Sequence, residues 1–564
     1  MPRGLVAGLS SLWAVACSSS SMQPKLAPCT GASAGQVSLA VAGYTAIDPT
    51  QTAGCAVFGP NASASVGQYL LVPQPTSGVP NDSSGFLLRG ATVAGAAPFA
   101  TRTPAAAALP PQLQFDLTLR RAERELARGG GPGAVRRPQA VAPPARQPPV
   151  LGDRRVFKVC GTSACTTHPT IVAFARSVGT GSHIAVFQDS VDEANGRALS
   201  TASLDSLRLL FDTLLYAADT SAFGRESDVD NNGVVIFLMT GKVNSLVPAP
   251  CTGGYIGGYF YGGDLLPGFT GGNASEIFYS IVPDPAGALS CVHTAAGLKN
   301  TVPSTFIHEF QHMISFNQHV LLRGSRTGED LWLNEGLSHY AEELGARLFL
   351  PGDSTSFCYF IVGDLYNSAR FLAAPESHIL VDTAGIGGLE NRGAYWLFVR
   401  FLVDQISSDT SRSQNNLVTR ALDRSNFTGA ANVTNATGVP FATLVEQWAL
   451  ANYVSDLSLS GFTPPLALQY KRWRFRTDYG TIRSSCIPRT GPNPPPFPTG
   501  YTLSPAAGDG SAINLAGTLH SGSGSYYIAQ QAAGAAGFTL LFSNSTGYAL
   551  RTSLAPRLNV LRLQ

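Results

Sequence analysis

Ser304-Thr-Phe-Ile-His-Glu-Phe-Gln-His-Met-Ile314 decides how this chain is read. Phe306, Ile307, Phe310, Met313 and Ile314 are apolar at helical spacing, which predicts a buried helix over residues 301–316. His308 and His312 are one turn apart on the same face, so both imidazoles can reach one ion. Glu309 is one position along from His308 and can reach a water on that ion from the side without being a ligand. The chain has 9 His among 564 residues. A chance His-Glu-x-x-His is therefore on the order of one in two hundred. The competing account is a buried helix carrying two hydrogen-bonded histidines.

The next segment bears on that choice. Trp332-Leu-Asn-Glu-Gly-Leu-Ser-His-Tyr-Ala-Glu342 opens a second apolar helix, predicted over 333–349. Catalytic zinc takes three protein ligands and leaves one position open. Glu335 can supply the third ligand, and His339 is its rival. Residues 313–334 are long enough to end one helix, turn at Arg323-Gly-Ser and return antiparallel.

His-Glu-x-x-His followed by Asn-Glu-Gly resembles the gluzincin metallopeptidases. His-Glu-Phe-Gln-His-Met-Ile with Trp-Leu-Asn-Glu-Gly-Leu-Ser-His-Tyr is most similar to the hyicolysin family of secreted bacterial neutral peptidases. The resemblance implies an α+β catalytic domain, a mixed sheet followed by the helices that carry the zinc site. It also implies that His308, His312 and Glu335 bind Zn²⁺ and that Glu309 is the catalytic base acting on a zinc-bound water. Tyr395 is the candidate oxyanion donor, by analogy with aminopeptidase N-like relatives; packing in a helix interface is its other reading. Thermolysin-like members carry an Asp four residues after the ligand Glu, where this chain has His339, so the acid that orients the imidazoles is left open.

Outward from this motif, residues 156–487 read as the metallopeptidase domain. Strands are expected at 183–187, 234–239 and 276–282, a Gly/Tyr-rich loop or hairpin at 253–263, and helices at 203–218 and 393–406. Residues 35–100 and 501–564 hold short apolar runs between Gly, Pro, Asn and Ser clusters and read as two small flanking β domains. Between them, 101–155 contains 10 arginines and reads as an Arg/Pro-rich linker with a partly exposed helix over 115–128; 488–500 is a Pro-rich linker. Asp228-Val-Asp-Asn-Asn-Gly233 has the opening pattern of a calcium loop, with Asp228, Asp230 and Asn232 as ligands, but Met239 stands where the closing Glu belongs. A tight turn feeding the 234–239 strand is the preferred reading.

Residues 1–16 read as a signal peptide: Arg3, then an apolar run too short to span a bilayer. Ala14-Val-Ala-Cys17 and the serines after it resemble a lipoprotein box, which makes 17–34 a tether anchored by lipid on Cys17. The other 8 of 9 cysteines suit an oxidising compartment. Sequence does not fix the connectivity; nearest-neighbour pairing would give Cys29–Cys55, Cys160–Cys165, Cys251–Cys291 and Cys358–Cys486. The expected location is secreted or on the surface or outer membrane of a bacterium. A net charge of +2 argues against nucleic acid as a partner. The expected partner is a protein or peptide substrate, cleaved internally. A zinc aminopeptidase and a surface binding or adhesion lipoprotein with a peptidase-like fold are the rivals.

Overall fold

The structure, a computed structural model, describes residues 25–29, 35–91, 99–100, 109–129, 147–266, 268–385, 387–487 and 497–564. The signal peptide, Cys17, most of the tether and most of the second linker lie outside the described residues. The chain is α+β.

The central region is built on a six-stranded mixed sheet. Its strands are β1 (Arg154–Lys158), β2 (Thr170–Ser177), β3 (Ile184–Asp189), β4 (Val235–Met239), β5 (Gly258–Phe260) and β6 (Ile277–Ser280), in the order β5-β6-β4-β3-β2-β1. The β3, β4 and β6 strands are parallel neighbours, while β5 pairs antiparallel with β6 and forms one edge. Val235-Ile-Phe-Leu-Met239 is buried at every position, as a parallel strand covered on both faces must be.

Five helices matter for the site: α1 (Pro111–Gly129), α2 (Ala295–Phe316), α3 (Leu331–Arg347), α4 (Ser354–Ala373) and α5 (Leu389–Ile406). The α2 helix begins where Thr294 Oγ1 accepts from the Gly297 amide at 3.0 Å. It lies on the sheet through Phe306, whose ring meets Phe237 edge-on at 4.1 Å and Phe278 at 5.1 Å. Two glycines let the later helices close in. A Cβ on Gly336 of α3 would come 2.9 Å from the Tyr395 carbonyl oxygen of α5, and one on Gly393 of α5 would fall 2.3 Å from the Asn367 backbone of α4. The Gly of Asn-Glu-Gly thus seats α5 directly behind Glu335.

Two expectations are corrected here. The flanking β segments are not separate domains. Ser83–Gly90 lies between Phe538–Asn544 and Asn514–His520 in one sheet, and Gly67–Pro75 lies between Tyr527–Gln531 and Pro556–Arg562 in the other. They share one core, which includes Phe58, Phe86, Phe538, Phe542 and Val560. Segments this short bury too little surface alone, and pairing with each other closes their edges. The α1 helix is partly exposed, at Gln114, Arg121, Glu125 and Arg128, but it is no mere linker: Phe115 and Leu119 are fully buried against the central body, and Asp116, Arg120 and Glu123 are buried too. All four expected disulfides are present. No helix among the described residues is long and apolar enough to cross a membrane.

Candidate metal centre

The α2 and α3 helices bring three of the expected residues together. His308 Nε2 stands 3.7 Å from Glu335 Oε2, and His312 Nε2 stands 3.6 Å from Glu335 Oε1. Ligand atoms about 2.1 Å from a single tetrahedral ion lie about 3.4 Å from one another, so the spacing suits such an ion. Both Glu335 oxygens are buried and accept no hydrogen bond from the described residues. Two imidazole nitrogens facing a carboxylate that accepts no hydrogen bond, with the Arg392 guanidinium beside one oxygen, form a donor set that fits Zn²⁺.

Each of the three candidate ligands is oriented from behind. His308 Nδ1 donates to Glu342 Oε1 at 2.8 Å, which turns Nε2 toward Glu335. His312 Nδ1 donates to Asn334 Oδ1 at 3.2 Å. Arg392 of α5 places Nη2 3.2 Å from Glu335 Oε2. Burial alone would raise the Glu335 carboxyl, but Arg392 and then the imidazoles outweigh it and hold the group well below the usual carboxylate range. Burial keeps His312 neutral, the form a metal ligand requires.

Glu309 is held apart from the ligands. Its Oε2 accepts from the Phe260 amide of β5 at 2.8 Å. Burial pushes its carboxyl up to about 7, with His308 pulling the other way. A carboxylate poised near neutrality is suited to taking and returning a proton.

His339 belongs to a different pairing. Its Nδ1 is 2.8 Å from Asp364 Oδ1 and 3.0 Å from Glu342 Oε1. Burial disfavours its charge, yet Asp364 and then Glu342 outweigh it and raise the imidazole to about 10. His308, His339 and Glu342 also lie close enough to form a second metal group. That group is the poorer candidate, because its 2.8 and 3.0 Å N···O distances are hydrogen bonds rather than ligand spacings, and His308 already spends Nδ1 on Glu342. Glu335→Ala is therefore expected to cost the zinc, whereas His339→Ala loses far less. Zinc titration of both variants checks this, and the reverse order would move the ligand role to His339.

Tyr395 is buried in α5, and its hydroxyl donates to Asp382 Oδ2 at 3.3 Å. The loop at Asp228 is a turn. Asp228 Oδ1 accepts from the Asn232 and Gly233 amides, and Asn232 Nδ2 donates to Asp230 Oδ2 at 2.7 Å. Asp228, Asp230 and Glu276 do approach one another; Glu276 Oε1 accepts from Ser227 Oγ and the Val229 amide, and its Oε2 is buried without a hydrogen bond among the described residues.

Four residues around the centre went unread in the sequence: Asn334, Glu342, Arg392 and Asp116. Glu342 carried a signal, since Glu335, His339 and Glu342 fall at i, i+4 and i+7 on one helix face. Arg392 also carried one, as a lone cation beside an apolar helix. Asp116 carried none.

No family model matches the chain. Over 195 residues it is 30% identical to the neutral metalloprotease ShpI of Staphylococcus hyicus, a match covering 35% of this chain and 40% of that protein.

Proposed function

We propose that the chain is a zinc-dependent peptidase, an endopeptidase, with His308, His312 and Glu335 as metal ligands and Glu309 as catalytic base. One observation carries this reading: Glu335 closes on the two histidines of α2 while Glu309, beside them, is held separately by the β5 amide. The likeness to a neutral metalloprotease supports the same class of reaction. When bound, zinc polarises a carbonyl oxygen and acidifies water. The protein's own part is to place and move a proton. Glu309 Oε1, free of the Phe260 bond, receives a proton from the attacking water and returns it to the departing amine. Glu342 and Asn334 fix the imidazole planes, and Arg392 keeps Glu335 ionised. Four disulfides suit an enzyme that works outside the cell, and lipid on Cys17 would hold it at a membrane.

The test is zinc content together with casein cleavage, before and after a chelator, on the purified chain and its processed forms. About one zinc per chain is expected, with cleavage that stops on chelation and returns with zinc. Cleavage indifferent to the chelator would remove the metal from the mechanism.

A further inference from the structure

The α1 helix occupies the approach to the centre. Gln112, Asp116, Arg120 and Glu123 fall at i, i+4, i+8 and i+11, a single stripe. Phe115 and Leu119 run along one side of that stripe, Leu113 and Leu117 along the other, and all four are buried. A polar stripe between two buried apolar rows faces protein, not water.

What it faces is the outer edge of β5. Gln112 Nε2 donates to the Gly258 carbonyl at 3.1 Å, and its Oε1 accepts from the Gly257 amide at 2.9 Å. Arg120 donates to the Phe260 carbonyl at 2.7 Å, and Glu123 accepts from the Gly262 amide at 2.6 Å. These are the backbone groups with which an extended peptide would pair on an edge strand. Asp116 reaches further in and forms an ion pair with Arg392, the same guanidinium that lies against Glu335. Beneath α1, His308 is 8% exposed, Glu309 5%, His312 3% and Glu335 1%. The cavity bounded by Arg120, Glu123 and Arg124 of α1 and by His312, Ser315 and Phe316 of α2 is about 20 Å³, room for one water and not for a peptide.

A buried ion pair adds little net stability, so a carboxylate set on the guanidinium that lies against Glu335 points to a role beyond the fold. We infer that α1 is an autoinhibitory segment: it fills the substrate groove, caps the β5 edge and engages Arg392 through Asp116, and it must leave before a peptide can reach Glu309. The inference rests on the peptidase reading above. Tethered, the helix acts at an effective concentration in the millimolar range; once severed, it is diluted to that of the protein.

The experiment places a recognition sequence for a site-specific protease within 101–108 and another within 130–146 of the full chain. Intact and doubly cut proteins are compared for zinc content, casein cleavage and retention of fragment 109–129 on gel filtration. The fragment is expected to leave with zinc unchanged, and cleavage to rise by about tenfold or more. A synthetic 109–129 peptide is expected to restore inhibition, and the same peptide with Asp116→Ala to inhibit less. Equal casein rates with the fragment gone would overturn the inference, as would a fragment that cannot be separated without losing zinc. Absence of both zinc and cleavage in either form would instead sink the peptidase reading.

Discussion

Glu309→Gln is expected to keep its zinc and to lose activity by on the order of 10²–10⁴-fold, the contribution of a general base. The substitution is nearly silent in the fold. A Gln oxygen can still accept from the Phe260 amide, as Glu309 Oε2 does at 2.8 Å, and the buried volume is unchanged. What is lost is the ability to hold a proton. An amide cannot take one from water, however well it is placed. The measurement is a casein rate beside a zinc assay, made on whichever form of the chain cleaves casein. Near wild-type turnover in a zinc-loaded Glu309→Gln protein would remove Glu309 from the chemistry.

The double variant His308→Ala with His312→Ala is expected to do more. It leaves Glu335 as the last of three ligands, still beside Arg392, and a single carboxylate does not hold zinc against solvent. Stoichiometric zinc should disappear. Activity should fall by on the order of 10⁶-fold, near the lower end of what enzymes add to an uncatalysed reaction. The variant also strands Glu342, whose carboxylate loses the His308 Nδ1–H but keeps His339 at 3.0 Å, so the α3 helix stays partly paired. Loss of zinc with the disulfide-linked fold intact by circular dichroism is the expected pair of results. Zinc retained at one per chain would place the metal elsewhere.

The metal helix was legible because two periodicities coincide in it. The apolar residues recur at helical spacing and the two histidines share a face, and both patterns are local. Glu335 was legible one helix on, from the third ligand that zinc needs and from the Asn-Glu-Gly resemblance. What escaped depends on contacts between distant parts of the chain. The Asp116–Arg392 pair joins positions 276 apart, and nothing near Asp116 marks it as a buried partner. The polar stripe of α1 looks in sequence like a solvated face, because Gln, Asp, Arg and Glu at helical spacing usually are one. Here they substitute for a neighbouring strand. The β sandwich escaped likewise: short alternating strands predict β structure but not which strands pair, and Gly67–Pro75 finds its neighbours in Tyr527–Gln531 and Pro556–Arg562. His339 was weighed as a ligand because its residue type allows it. Asp364, on α4, pairs with it instead, and only the packing of α3 against α4 puts that acid 2.8 Å away.

The most direct test of the metal centre is anomalous diffraction from crystals of the purified chain, measured on both sides of the zinc absorption edge. One peak is expected, bounded by His308 Nε2, His312 Nε2 and a Glu335 oxygen, and absent after chelation. A zinc peak bounded instead by His308, His339 and Glu342, or no peak at either group in a protein that cleaves casein, would contradict the account.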